Sequence, residues 1–173
     1  HDVRTLVGHE PPLASILPDR NDALAACRAI HETYLRSGQG AGMAHFIAVI
    51  SHQGPFTAEI AGRPAPDPAM FGLPTGDDGS RTDPLLGQNM MSCTTYEPDF
   101  EALQAAPTRI VLAAGTESAG QLANRAAFAA AKRLGSEPAI FPSGHGGFLG
   151  GEYGQTGEPD AFAAKLRQVL AGG

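Results

Sequence analysis

The chain lacks the features that mark several common classes of protein. Only two of its 173 residues are cysteine, Cys27 and Cys93, and their wide separation fits neither zinc-ligand spacing nor a disulfide framework. Both are therefore predicted to be unpaired packing residues. The 12 Lys and Arg are scattered along the chain and are outnumbered by 18 Asp and Glu, which leaves a net charge of −6. Without a clustered basic face, we expect no nucleic-acid partner.

Long apolar runs are also missing. The longest falls far short of the roughly 20 residues that a membrane-spanning helix needs. The N-terminal stretch HDVRTLVGHE contains no basic segment followed by an apolar signal core. We therefore expect no membrane partner and a cytoplasmic location.

Motifs for metals, cofactors and nucleophiles are absent as well. His31, His45 and His52 do not form the H-E-x-x-H arrangement of a zinc site. The glycine-rich segment 144–157 lacks the order of a phosphate-binding loop and is interpreted as a flexible loop. No serine or cysteine lies in the G-x-S-x-G turn that exposes a hydrolytic nucleophile. The sequence thus predicts neither a metal nor an organic cofactor.

What the chain does contain is an alternation of apolar strands and helices. Its 42% hydrophobic and 17% charged residues are ordinary for a globular domain. Residues 3–8 form a β-rich apolar run that ends before two prolines. From Pro107 onward the pattern predicts strand 108–114, helix 119–134, strand 138–142 and helix 159–171. Strands that alternate with helices favour a parallel sheet, so the predicted class is α/β, a parallel sheet flanked by helices.

Residues 13–106 are predicted to be a mainly helical cap, inserted between core segments 1–12 and 107–173. Apolar residues at three-to-four spacing predict a helix over 21–36, and a second short helix carries Met43, Phe46, Ile47 and Ile50 on one face. Prolines and turn dipeptides make 53–88 largely irregular. The segment 85–96 fits either a helix or extended chain.

Two residues directly beyond strand ends are candidates for catalysis. Glu117 follows a strand and could orient an imidazole, and His145 lies in the loop PSGHGGF, where flanking glycines leave the ring accessible to act as a general base. Active sites of open α/β sheets lie at such strand ends. The alternatives are a first-turn glutamate that favours its helix N-terminus and a loop histidine without a role. Ser118 is interpreted as the N-cap of the following helix.

Three segments together resemble the C-terminal half of an α/β-hydrolase-fold protein, particularly the small bacterial esterase-like members. They are VRTLVGHEPP at 3–12, PTRIVLAAGTES at 107–118 and FPSGHGGFLG at 141–150. The resemblance implies a Ser-His-acid catalytic triad in which Glu117 is the acid and His145 the base. It also implies a small ester or related acyl substrate and a nucleophile upstream of His1. The chain is then a fragment, a split polypeptide or a degenerate member.

Other functions remain open at this point. A non-catalytic α/β-hydrolase-like protein could bind a small apolar ligand or another protein through its cap. Dehalogenases, peroxidases and carbon–carbon hydrolases share the scaffold, and a fold does not fix a function. The expected partners are the nucleophile-bearing segment or a second chain that replaces it, and a homo-oligomer is possible.

A parallel sheet of three strands leaves an unpaired edge and a face that needs cover. We therefore expect this chain to be ordered only when it packs against the missing half or a substitute for it. Size-exclusion chromatography with circular dichroism tests this expectation. A compact, cooperatively folded monomer of these 173 residues alone would contradict it.

Overall fold

The computed structural model describes residues 3–172, apart from the side chain of Tyr153. The chain divides into two compact units. The described part of the first unit comprises residues 3–12 and 98–172, and the second unit comprises residues 13–97. Within the described residues, no helix combines the length and the apolar character that a membrane crossing requires.

The strands are β1 (Thr5–His9), β2 (Arg109–Gly115) and β3 (Ala139–Phe141). The α-helices are α1 (Arg20–Ile50), α2 (Ala58–Ala61), α3 (Met90–Thr94), α4 (Phe100–Ala105), α5 (Leu122–Arg133) and α6 (Pro159–Ala171). Short 3₁₀ turns occur at Ala14–Ile16, Pro68–Phe71 and Glu152–Gly154, and a π-helical turn, Leu85–Asn89, leads into α3.

The three strands form one parallel sheet in the order β1-β2-β3. Val7 of β1 lies beside Val111 of β2, and Ala113 of β2 lies beside Ala139 of β3. The prediction of a mixed α/β chain with a small parallel sheet is therefore confirmed. Because the strands are parallel, all three carboxyl ends lie at the same edge of the sheet.

Helices pack on the sheet through alternating side chains of the strands. Ala113 and Phe141 are buried in one cluster with Phe162 and Val169 of α6. Successive side chains of a strand point to opposite faces. Leu112 and Ala114 therefore point away from this cluster, and they too are buried. Helix α5 packs against β2 and buries four alanines, Ala126, Ala127, Ala130 and Ala131.

The second unit is built around α1, which bends sharply at Gly38. Gly38 has φ 83° and ψ −175°, a conformation outside the helical region that glycine adopts without a Cβ clash. The bend brings the two halves of the helix together, so that Nδ1 of His45 lies 2.9 Å from Oγ1 of Thr33. The sequence pattern predicted two helices here, and the bend confirms that division.

The remaining segments resolve two expectations from the sequence. The ambiguous segment 85–96 is largely helical, as a π-helical turn followed by α3. Residues 53–88 contain only short helical turns between irregular stretches, as their prolines and turn residues predicted. Helix α4 belongs to the first unit, and the Asp99 side chain caps it by accepting a hydrogen bond from the N–H of Ala102.

Close packing in the second unit makes Gly40 sensitive to substitution. A Cβ at this position would lie 1.8 Å from the carbonyl oxygen of Pro74. Overpacking of this kind typically costs about 1–3 kcal/mol, so we expect Gly40→Ala to lower the free energy of unfolding by that amount in urea titrations. Gly76→Ala is the matched control because its Cβ would meet nothing within 4 Å. Equal stability of the two variants would contradict this packing.

Candidate active site

Polar side chains converge at the edge where the three strands end. Glu10 directly follows β1, Glu117 follows β2, and His145 lies in the loop after β3. The loops meet because the strands are parallel and in register. The fold therefore places both residues predicted from the sequence at one edge, together with Glu10.

The carboxylate of Glu10 is buried, and both of its oxygens accept hydrogen bonds. Oε1 accepts from the N–H of Gly115 at 2.8 Å, from Nδ2 of Asn124 at 3.0 Å and from the hydroxyl of Ser118. Oε2 lies 3.1 Å from Nδ1 of His145. Hydrogen bonds to a charged group contribute about 1.5–3 kcal/mol each. The four contacts thus hold the carboxyl group in a single orientation.

The same contacts determine the charge of Glu10. Burial by itself raises the pKa of this carboxyl, but the hydrogen bonds from His145, Ser118, Gly115 and Asn124 outweigh burial and lower its pKa from 4.5 to about 2. Donors that favour the ionised form have this effect on any carboxyl group. Glu10 is therefore a fixed negative charge against His145 at neutral pH.

His145 presents one ring nitrogen to the acid and leaves the other available. Because a carboxylate can only accept, the 3.1 Å contact means that Nδ1–H of His145 donates to Oε2 of Glu10. In the neutral ring Nε2 then carries the lone pair, and among the described residues it has no hydrogen-bond partner. The His145 side chain is 58% exposed, whereas that of Glu10 is fully buried. This is the tautomer and the accessibility that a general base requires.

His9, on the last position of β1, forms the wall behind His145. The two rings are stacked with centroids 6.1 Å apart, and His9 also packs against Phe141 and Phe162 at 5.5 and 5.0 Å. Burial lowers the pKa of His9, so the ring is neutral at pH 7. Its Nε2 lies 3.4 Å from the carbonyl oxygen of Gly144, which marks Nε2 as the protonated nitrogen. A neutral His9 places no positive charge beside His145.

Glu117 contacts the loop that carries His145 rather than the imidazole. Its Oε2 accepts a hydrogen bond from Oγ of Ser143 at 3.0 Å, and its N–H donates to the carbonyl oxygen of Ser143 at the same distance. The carboxylate that reaches His145 is that of Glu10. The contact with the imidazole that the sequence predicted for Glu117 is thus made by Glu10, the residue between β1 and Pro11.

Ser118 does not cap the following helix, so that prediction was wrong. Helix α5 begins at Leu122, and its N-cap residue is Gln121. The Ser118 hydroxyl instead donates to Oε1 of Glu10, and the residue is only 1% exposed. A serine buried against the acid has neither the access nor the contact with His145 that a nucleophile needs.

Backbone geometry also singles out these loops. In the described part of the chain, the two non-glycine residues with positive φ are Glu10 at 46° and Ser143 at 62°. Left-handed conformations are costly for residues with a Cβ and persist where the surrounding contacts enforce them. The N–H of Glu10 donates to the carbonyl oxygen of Ala113, and Ser143 is held by Glu117.

The glycine-rich segment after β3 is tied by its own hydrogen bonds. Gly157 donates to the carbonyl oxygen of Leu149, and Glu158 donates to that of Gly147, both at 2.9 Å. A Cβ at Gly157 would lie 2.6 Å from the carbonyl oxygen of Gly147, so the two sides of the loop approach this closely because residue 157 is glycine. The segment 144–157 is thus mostly a loop, as the sequence predicted, and backbone hydrogen bonds join its two sides.

Comparisons with known proteins identify no relative of this chain. No protein-family model, no curated protein and no solved structure matches the chain. In the described residues, no three His, Cys, Asp or Glu side chains gather in a way that could hold a metal ion. The arrangement on hand is an ionised acid, an oriented imidazole and a free ring nitrogen.

The buried charge of Glu10 predicts a specific response of stability to pH. A carboxyl whose pKa is lowered in the folded state adds stability above its unfolded value, near 4.5, and loses it as the pH falls toward about 2. We expect Glu10→Gln to be less stable at pH 7 by roughly 2 kcal/mol. The difference should shrink between pH 4.5 and about 2, as measured by urea unfolding at each pH.

The exposed carboxylate Glu101 supplies a control for the loss of one negative charge. Glu101→Gln should change the free energy of unfolding by no more than about 0.5 kcal/mol at pH 7. A Glu10→Gln deficit that is the same at pH 7 and pH 2 would show that the charge of Glu10 does not stabilise the fold.

Proposed function

We propose that Glu10 and His145 are the acid and the base of an α/β-hydrolase-like enzyme that hydrolyses a small ester or related acyl substrate. The observation that carries this proposal is the 3.1 Å contact between Oε2 of a buried Glu10 and Nδ1 of an accessible His145. In this proposal the nucleophile is a serine outside the 173 residues, on a further segment of the protein or on a partner chain.

The chemistry of each residue follows from this geometry. Nε2 of His145 takes the proton of the serine hydroxyl as its oxygen attacks the acyl carbonyl, and Glu10 stabilises the imidazolium that forms. The same nitrogen then gives the proton to the departing alcohol, which leaves an acyl-serine. A water molecule, deprotonated in turn by Nε2, releases the acid product and restores the serine.

The order of the residues along the chain supports the assignment to this class. The acid follows β1 and the histidine follows β3 of a parallel sheet, in agreement with the order acid then histidine of the resemblance. A triad is identified by geometry and not by sequence position. On that criterion Glu10 is a better acid than Glu117, whose carboxylate accepts from Ser143.

The serines near the site support a nucleophile from elsewhere. The Ser118 hydroxyl donates a hydrogen bond to Glu10, and the Ser143 hydroxyl donates a hydrogen bond to Glu117. Neither hydroxyl is hydrogen-bonded to Nε2 of His145 in the described structure. Among the described residues no hydroxyl donates to Nε2 of His145, which supports a nucleophile supplied from elsewhere.

Three variants of the intact protein test the roles in p-nitrophenyl butyrate hydrolysis. His145→Ala and Glu10→Gln should each lower kcat by about 10³- to 10⁴-fold. In Glu10→Gln an amide N–H₂ can face Nδ1–H of His145, donor against donor, so the ring tends to the wrong tautomer. Glu117→Gln is the matched control and should keep kcat within about threefold. If Glu117→Gln instead lost most of its kcat while Glu10→Gln kept it, Glu117 would be the acid.

A second experiment tests the nucleophile independently of the acid. A fluorophosphonate ester should label one serine of the intact protein, and peptide mapping should place the adduct outside the 173 residues. An adduct on Ser118 or Ser143 would contradict the proposed source of the nucleophile. If the intact protein shows neither labelling nor ester turnover, the result favours a non-catalytic binding protein.

A further inference from the structure

We propose that Ser118 and Asn124 are positioning residues that orient Glu10 toward His145. This inference rests on the proposed function, because it assigns residues that act on the acid of the same site. Neither residue contacts the substrate in this proposal, and both would affect the reaction only through the carboxylate of Glu10.

The geometry separates the two oxygens of Glu10 into two tasks. Oε1 receives the hydroxyl of Ser118 and Nδ2 of Asn124, in addition to the N–H of Gly115. Oε2 is left for Nδ1 of His145. The terminal torsion of a glutamate is soft, so three donors on one oxygen fix the plane of the carboxylate and hold its second oxygen toward the histidine.

Asn124 also contacts Ser118, the serine that donates to Glu10. Its Nδ2 lies 3.3 Å from Oγ of Ser118 and 3.2 Å from the carbonyl oxygen of Gly115. Nδ2 carries two hydrogens: one is donated to Glu10 and the other is shared between these two acceptors, so Ser118 keeps its own proton to donate to Glu10. Asn124 on α5 therefore donates toward Ser118 and Glu10, and Ser118 in turn donates to Glu10.

Residue types and burial agree with a polar network built for an ionised acid. Ser118 and Asn124 are 1% and 5% exposed, and the other buried residues of α5 are Leu122 and four alanines. Buried polar side chains are costly unless they find partners. A helix that only had to cover the sheet would carry an apolar residue in place of Asn124, and Glu10 explains why it does not.

The test compares Ser118→Ala and Asn124→Ala in the intact protein, with Ser136→Ala as control. Ser136 donates its hydroxyl proton to the carbonyl oxygen of Ala131, away from the acid. Removal of a residue that orients another functional group typically lowers activity by about 10- to 100-fold. We expect kcat to fall by this factor in both variants. KM should stay within about twofold, because substrate binding is not touched. Ser118→Cys keeps the size of the side chain but donates weakly, so its kcat should lie between those of wild type and Ser118→Ala.

A double-mutant cycle separates positioning from a merely structural role. In the Glu10→Gln background, measured under single-turnover conditions with enzyme in excess, Ser118→Ala should cause no further loss, because its route of action is already removed. A full additional loss in that background would overturn the inference, as would wild-type kcat in both single variants. Phosphonate titration of competent sites corrects for misfolded protein.

The outcome for Glu10 itself distinguishes the two proposals. If Glu10→Gln keeps wild-type turnover, the proposed acid fails and the positioning role fails with it. If Glu10→Gln loses turnover while Ser118→Ala and Asn124→Ala do not, the proposed function stands and only the positioning role is overturned.

Discussion

The site depends on the hydrogen bonds of one buried carboxylate, that of Glu10, which lies in the first unit directly after β1. A buried negative charge is unfavourable unless donors surround it. Here a backbone N–H, a hydroxyl and an amide satisfy one oxygen, and an imidazole satisfies the other. The acid therefore ties β1 to the loop after β2, to α5 and to the loop after β3. Removal of the carboxyl group would leave four donors without their common acceptor.

Parallel pairing of three short strands is the constraint that makes this contact possible. Glu10 and His145 are 135 residues apart in sequence. They meet because β1 and β3 both pair with β2 and end at the same edge of the sheet. The long segment between β1 and α4 forms a separate compact unit, so the strand pairing and not chain proximity assembles the site.

Periodicity and turn residues were enough to predict the elements of the fold, because apolar spacing and glycine or proline breaks are local signals. The strands, α6, the divided α1 and the position of His145 all follow from such signals. Glu10 did not, since a charged residue between a strand and Pro11-Pro12 has the local pattern of an exposed turn. Its burial depends on Asn124, which is 114 residues away. The same reason applies to Ser118, because a serine before a helix has the local pattern of a cap.

The central claim is that Glu10, and not Glu117, is the acceptor for His145. It is tested most directly by ¹H–¹⁵N spectra of protein labelled at histidine, in which a hydrogen-bonded Nδ1–H of His145 gives a downfield proton resonance. We expect this resonance in the wild type and in Glu117→Gln, and its loss in Glu10→Gln. A resonance that survives Glu10→Gln and disappears in Glu117→Gln would contradict the account.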